Sequence, residues 1–149
     1  MPVHSETRKL PYSADQMYDL VADISAYPQF LPWCSAARIR SRTTQGECET
    51  VEADLVISFK VFRESFASRV ELWNMAKKID TQYLEGPFKH MKSSWEFVDT
   101  PSGCDVRFFV DFEFKNAILR SIVGVVFNEA MQRIVRAFES RAEMLYRKL

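Results

Sequence analysis

Val106-Arg107-Phe108-Phe109-Val110-Asp111-Phe112-Glu113-Phe114-Lys115-Asn116 ends on a change of period. Val106, Phe108, Val110, Phe112 and Phe114 share one parity. Arg107, Asp111, Glu113 and Lys115 share the other, with Phe109 as the exception. Alternation at period two predicts a strand with one buried face. From Ala117 to Leu149 the spacing becomes three and four: Ile122, Val126, Ala130, Ile134, Phe138, Ala142 and Leu145 recur. Arg133, Arg136, Glu139, Glu143 and Arg147 fall mostly on the other side. No proline interrupts this tail, and Asn116 is the expected N-cap. The spacing predicts one amphipathic helix of roughly 30 residues, about 45 Å long.

Working outward, the segments before this strand are also β by period. Val51, Ala53, Leu55, Ile57 and Phe59 alternate with polar neighbours, and Phe62, Phe66, Val70 and Leu72 continue the pattern past a turn near Lys60. Ile79, Thr81 and Tyr83 mark a shorter strand, closed by Glu85-Gly86-Pro87. Met91, Trp95 and Phe97 share a parity on the next, and Pro101-Ser102-Gly103 turns into the last. At the other end, His4 to Leu10 reads as a first strand. A helix follows: Ser13 caps it, Gln16 completes a capping box, and Tyr12 is placed to staple onto Met17. Met17, Leu20, Val21 and Ile24 give it one apolar face, and Pro28 ends it near Ser25. A short helical turn is expected within Tyr27 to Trp33.

Consecutive strands without intervening helices join by hairpins into an antiparallel sheet. The long helix that follows must bury its stripe on that sheet, and a strongly twisted sheet curls around it. The expected fold is α+β, a single domain over residues 1–149, with six or seven strands wrapped on the C-terminal helix. Where the curl is wide, side chains do not fill the gap and a cavity results.

Composition narrows the function. Twenty Lys and Arg balance twenty Asp and Glu, which argues against DNA as a partner, since such affinity rests on neutralising phosphate. The 12 Phe, 5 Tyr and 3 Trp supply either a Phe-heavy core or an aromatic-lined cavity. Cys34, Cys48 and Cys104 are widely spaced, as expected of reduced thiols in a cytoplasmic protein. With only His4 and His90, no zinc spacing occurs. The N-terminus lacks an apolar secretory core, and Ile122 to Phe127 is too short to span a bilayer.

Catalytic patterns are missing. No Gly-rich phosphate loop or G-x-S-x-G elbow occurs among the four glycines. Cys34 with His90 as base reads better as a small buried thiol and a strand histidine. Asp105, Asp111 and Glu113 share one strand, and their parity predicts a solvated row. The expectation is a binding protein with no catalytic cofactor and no metal.

Three segments stand out instead. Tyr27-Pro28-Gln29-Phe30-Leu31-Pro32-Trp33-Cys34 packs large apolar residues around two prolines: a plug over the core, or a rim over a pocket mouth. Glu85-Gly86-Pro87-Phe88-Lys89-His90-Met91 is a hairpin with an anchoring aromatic, or a loop closing the same mouth. Ala117 to Phe127 is apolar nearly all round, as for a helix buried on every side or meeting lipid or ligand. Gly124 within it suggests close approach of a neighbour or a ligand.

Pro11 to Tyr18, Tyr27 to Cys34, Glu85 to Lys89 with Trp95 and Phe97, and Asp111-Phe112-Glu113-Phe114 together resemble the coenzyme Q-binding family of START-like proteins. That family lies in the wider group that includes polyketide cyclases. The resemblance spans nearly the whole chain and implies a helix-grip fold. It also implies a hydrophobic tunnel for ubiquinone or another polyisoprenoid lipid, and a chaperone role in respiratory electron transfer. Ligand contacts would come from Tyr27, Phe30, Leu31 and Trp33 at the rim, and from Phe88 and Met91 at the second loop. Phe59, Phe66, Trp95, Phe108 and Phe112 on the sheet, with Ile122, Val126 and Met131 on the helix, would form the wall. Tyr27 or Tyr83 would donate to ring carbonyls. The helix start would touch a membrane surface transiently. Bacterial ribosome association toxins are similar over the same motifs. In that branch a glycine is expected at Trp33, and the partner would be the ribosome, met through Lys77-Lys78 and an Arg133, Arg136, Arg141 face.

Overall fold

The computed structural model describes residues 3–59 and 62–146, with backbone alone at Phe59 and Phe62. The expected turn at Lys60 and the last three residues lie outside the described residues. Seven strands form one antiparallel sheet: β1 (Val3–Leu10), β2 (Cys34–Gln45), β3 (Cys48–Phe59), β4 (Phe62–Trp73), β5 (Lys78–Glu85), β6 (Phe88–Thr100) and β7 (Gly103–Phe114). Their spatial order is β1-β7-β6-β5-β4-β3-β2. Between β1 and β2 come helix α1 (Ala14–Ala22) and a 3-10 helix (Ile24–Gln29); after β7 comes α2 (Ala117–Tyr146).

The local chemistry at both helix starts is the expected one. Gln16 N–H donates to Ser13 Oγ at 3.1 Å, and Ser13 N–H donates to Gln16 Oε1 at 3.0 Å. Asn116 Oδ1 accepts from the N–H groups of Ile118 and Leu119 at 2.8 and 3.1 Å. The switch from period two to period 3.6 falls where the sequence places it, and α2 runs for 30 residues.

Other expectations need correction. Strand β2 has no counterpart in the sequence reading: it is an edge strand whose second half is exposed throughout, so it carries no clear alternation. Helix α1 stops at Ala22, before Ser25. The helical turn comes earlier than Tyr27 and contains Pro28, which a 3-10 helix accepts near its end. A Cβ on Gly124 would meet nothing within 4 Å, so this glycine marks no close approach. The carboxylates of β7 are half-buried and each faces a base: Asp105 with Lys9 at 3.7 Å, Asp111 with His90 at 2.9 Å and Glu113 with Arg120 at 3.5 Å.

The core runs along the concave face of the sheet. At one end α1 crosses the groove, and Met17, Val21, Val51 and Cys104 are fully buried there. Tyr18 meets Phe97 edge-on at 6.2 Å, and burial first, then nearby carboxylates, pushes its hydroxyl up to about 12. Helix α2 approaches mainly α1, β1 and β7. On the β1 side a polar clamp holds it: Glu6 bridges His4 and Arg8, each at 2.7 Å, and Arg8 reaches Glu139 of α2 at 2.9 Å.

Candidate functional site: an oily hollow between α2 and the sheet

Away from α1, helix α2 meets the sheet along β7, where Phe127 packs on Phe112 at 5.2 Å, and stands off the rest of the sheet's inward face. The space between them is a cavity of about 280 Å³, open on one side. Inward-facing positions on β3 to β7 supply most of its wall, among them Leu55, Phe66, Val70, Trp95, Val110 and Phe112. Helix α2 contributes Leu119, Val123, Val126, Ala130, Met131, Ile134 and Phe138, one face of roughly its first six turns. The 3-10 helix and the segment after it add Ile24, Tyr27, Leu31, Pro32, Trp33 and Cys34.

The aromatic side chains hold one another in place. Phe88 packs at 5.2 Å from Phe66, 5.4 Å from Phe112 and 4.8 Å from Phe114. Gly86 makes this cluster possible: its φ is +143°, and a Cβ there would lie 2.5 Å from Phe66 Cβ. Trp95 packs on Phe108 at 4.4 Å and on Phe138 of α2 at 5.0 Å, which closes the hollow toward α1. Trp33 takes a left-handed backbone, φ +65°, while its carbonyl accepts from Ser58 N–H at 2.8 Å. A bulky residue rarely adopts that conformation. Glycine would adopt it without strain.

Most of the expected contacts come together. Tyr27, Leu31, Trp33, Phe66, Phe88, Met91, Trp95, Phe108, Phe112, Val126 and Met131 all line the cavity. Phe30 does not: its ring packs on Phe138 at 5.3 Å and Arg141 covers it at 5.3 Å. Ile122 does not either, because it falls on the flank of α2 beside the face that carries Leu119, Val123 and Val126. The side chain of Phe59 lies outside the described residues. Phe88 is buried and not part of the rim; Val126 is 36% exposed and is.

The polar groups are few, and several are already engaged. Tyr27 donates its proton to the Val21 carbonyl, and burial pushes its hydroxyl well above its ordinary value. Tyr83 accepts from Phe88 N–H at 3.1 Å and is not part of the wall. Neither has the place expected of a ring-carbonyl donor. The Cys34 thiol donates to the Ala36 carbonyl at 3.7 Å, and burial pushes it up, away from a reactive thiolate. His90 is occupied by Asp111 and lies outside the wall. Sequence reasoning missed Ser68, Thr81 and Ser93, three hydroxyls on the inward parity of their strands. Parity alone could have found them. No group of acidic, Cys and His residues fit to hold a metal occurs among the described residues.

The basic face is also largely committed. Lys77 binds Asp15 at 2.6 Å, Arg133 binds Glu129 at 3.3 Å, and Arg141 donates to Gln29 Oε1 at 2.9 Å. Among the described residues no helix is long and apolar enough to cross a membrane.

An antiparallel sheet curled on a C-terminal helix, with an oily hollow between them, defines the helix-grip class of START-like, lipid-binding folds. The chain belongs to the polyketide cyclase / dehydrase and lipid transport family, whose pattern matches residues 10–139. It is 41% identical over 140 residues to a ribosome association toxin of Rickettsia prowazekii, covering 92% of this chain and 93% of that protein. It is 31% identical over 148 residues to a mitochondrial coenzyme Q-binding protein homolog of Xenopus laevis, covering 96% of this chain and 59% of that protein. The solution structure of an 18 kDa protein from Caulobacter crescentus matches it with a TM-score of 0.82 and 36% identity, over 98% and 99% of the two chains. Identity is thus higher to the toxin relative than to the coenzyme Q-binding one.

Proposed function

We propose that the protein, acting as one domain over residues 1–149, binds ubiquinone or a related polyisoprenoid lipid in this hollow. It would carry that lipid for respiratory electron transport. The observation that carries the reading is the hollow itself: about 280 Å³, open, and walled almost wholly by aliphatic and aromatic side chains. That volume is near the lower end for small-molecule pockets, roughly 300–1,000 Å³. It suits a ring and the first part of a tail, with the rest leaving by the mouth. Each methylene removed from water stabilises the complex by about 0.8 kcal/mol. The name of the Xenopus relative, coenzyme Q-binding, supports the same ligand.

A carrier fits better than a catalyst. The titratable members of the wall are Tyr27, Cys34 and Glu64; the Tyr27 hydroxyl spends its hydrogen bond on the Val21 carbonyl, and the Cys34 thiol is held protonated. Loading at a cytoplasmic membrane surface is supported by exposed apolar side chains on the first turns of α2, Ile118 at 62% and Val125 at 85% exposure. The test is to purify the protein from a quinone-rich host and extract its lipid. A stoichiometric prenyl lipid is expected. No such lipid, together with no uptake of added quinone, would end the proposal.

A second reading, a regulator that binds the large ribosomal subunit, is favoured by the 41% identity to the Rickettsia toxin. Co-sedimentation with large subunits that weakens as salt rises would support it. The ion pairs of Lys77 with Asp15 and Arg133 with Glu129 leave less free positive charge for such contacts.

A further inference from the structure

Three hydroxyls interrupt the apolar wall: Ser68 on β4, Thr81 on β5 and Ser93 on β6. The register sets Thr81 opposite both Val70 and Ser93. Ser68 is therefore one inward position before Val70 and diagonal to Thr81. Opposed side chains on antiparallel strands stand about 5 Å apart and diagonal ones about 7–8 Å. One ring can span all three.

None of these hydroxyls has a hydrogen-bond partner in the protein among the described residues. Ser68 is only 2% exposed, yet no fully enclosed side-chain polar atom lacks a partner. Its hydroxyl therefore faces the hollow. Such groups are costly to leave dry and unpaired. Their neighbours are apolar on either side: Phe66 and Met91 toward the mouth, Ile79 and Trp95 toward the packed end.

We propose that Ser68, Thr81 and Ser93 form a head-group subsite that holds the oxygen-bearing ring of an uncharged amphiphile, ring inward, with the tail leaving past Val123 and Val126. This rests on the lipid reading above and adds the ligand's orientation and charge class. No Lys or Arg lines the cavity, so an anionic head would enter without a counter-charge. Glu64, the charged member of the wall, is four residues from Ser68 along β4, about 13 Å away. A hydroxyl both donates and accepts. The patch therefore serves a quinone carbonyl and a hydroquinone hydroxyl equally well.

The test compares two probes, a short-tailed ubiquinone and a straight-chain hydrocarbon of similar length, on wild type and on the double variant Thr81→Val, Ser93→Ala. Quinone affinity should fall about tenfold to a hundredfold in the variant, while hydrocarbon affinity holds or rises. Thr81→Ser, which keeps a hydroxyl, should restore much of the loss. The carbonyl stretch of bound quinone should shift to lower frequency in wild type and return toward its free value in the double variant. Quinone affinity unchanged in the variant, or equal losses for both probes, would overturn the subsite while the lipid reading stands. A wild type that takes up neither probe would overturn both.

Discussion

The groove between α2 and the sheet has two ends built from the same residue types, and they differ in what lies across them. At one end α1 crosses, and Met17 and Val21 are buried completely. At the other, only the chain around Leu31 to Cys34 and the first turns of α2 approach, and a hollow remains. The apolar stripe of the helix and the alternation of the strands are alike at both ends. Whether the groove is filled depends on a third element. The short helix α1, fixed by its capping box, fills its own end and leaves the other free for a guest.

Truncating one residue type at each end tests this most severely. Met17→Ala removes a side chain from close packing and should cost about 3 kcal/mol. Met131→Ala borders existing space and should cost less, about 1–2 kcal/mol, because it enlarges a void instead of opening one. Urea unfolding midpoints decide; equal costs would mean that the two ends are packed alike. Ser13→Ala removes the cap of α1 and should cost about 1 kcal/mol, with quinone uptake unchanged.

The polar clamp between β1 and α2 should give a smaller, pH-dependent effect. Burial pushes the Glu6 carboxyl up, but its hydrogen bonds to His4 and Arg8 outweigh this and hold it below its ordinary 4.5. A depressed carboxyl favours the folded state above its unfolded value, and that contribution is lost as the proton binds the folded form. Stability should therefore fall as pH drops below about 4.5, by well under the cost of Met17→Ala. Glu6→Gln should flatten that part of the profile. A profile that Glu6→Gln leaves unaltered would remove the clamp from the account.

The sequence made the fold legible where side-chain period and backbone chemistry agree. The change of period at Asn116 and the Ser13–Gln16 box are local signals, and both elements form as read. Strand β2 was not legible, since an exposed edge needs no alternation. The wall was legible by parity for the large residues and invisible for the small ones. Ser68 and Ser93 passed unread, and only the register sets them near Thr81. Tyr27 looked like a donor to a ligand, and only the geometry of the 3-10 helix turns its hydroxyl to Val21. Phe30 and Ile122 look like wall residues by type, but their position on the turn and on the flank of α2 directs them elsewhere.

Filling the hollow from the helix side puts the central claim to its most direct test. Ala130 faces the cavity and is half-buried, so Ala130→Phe should occupy the space while changing stability by no more than about 1 kcal/mol. Native mass spectrometry with added short-tailed ubiquinone should show a one-to-one adduct on wild type and the bare chain for the variant. A wild type that stays bare, or a filled variant that loads as well as wild type, would contradict the account.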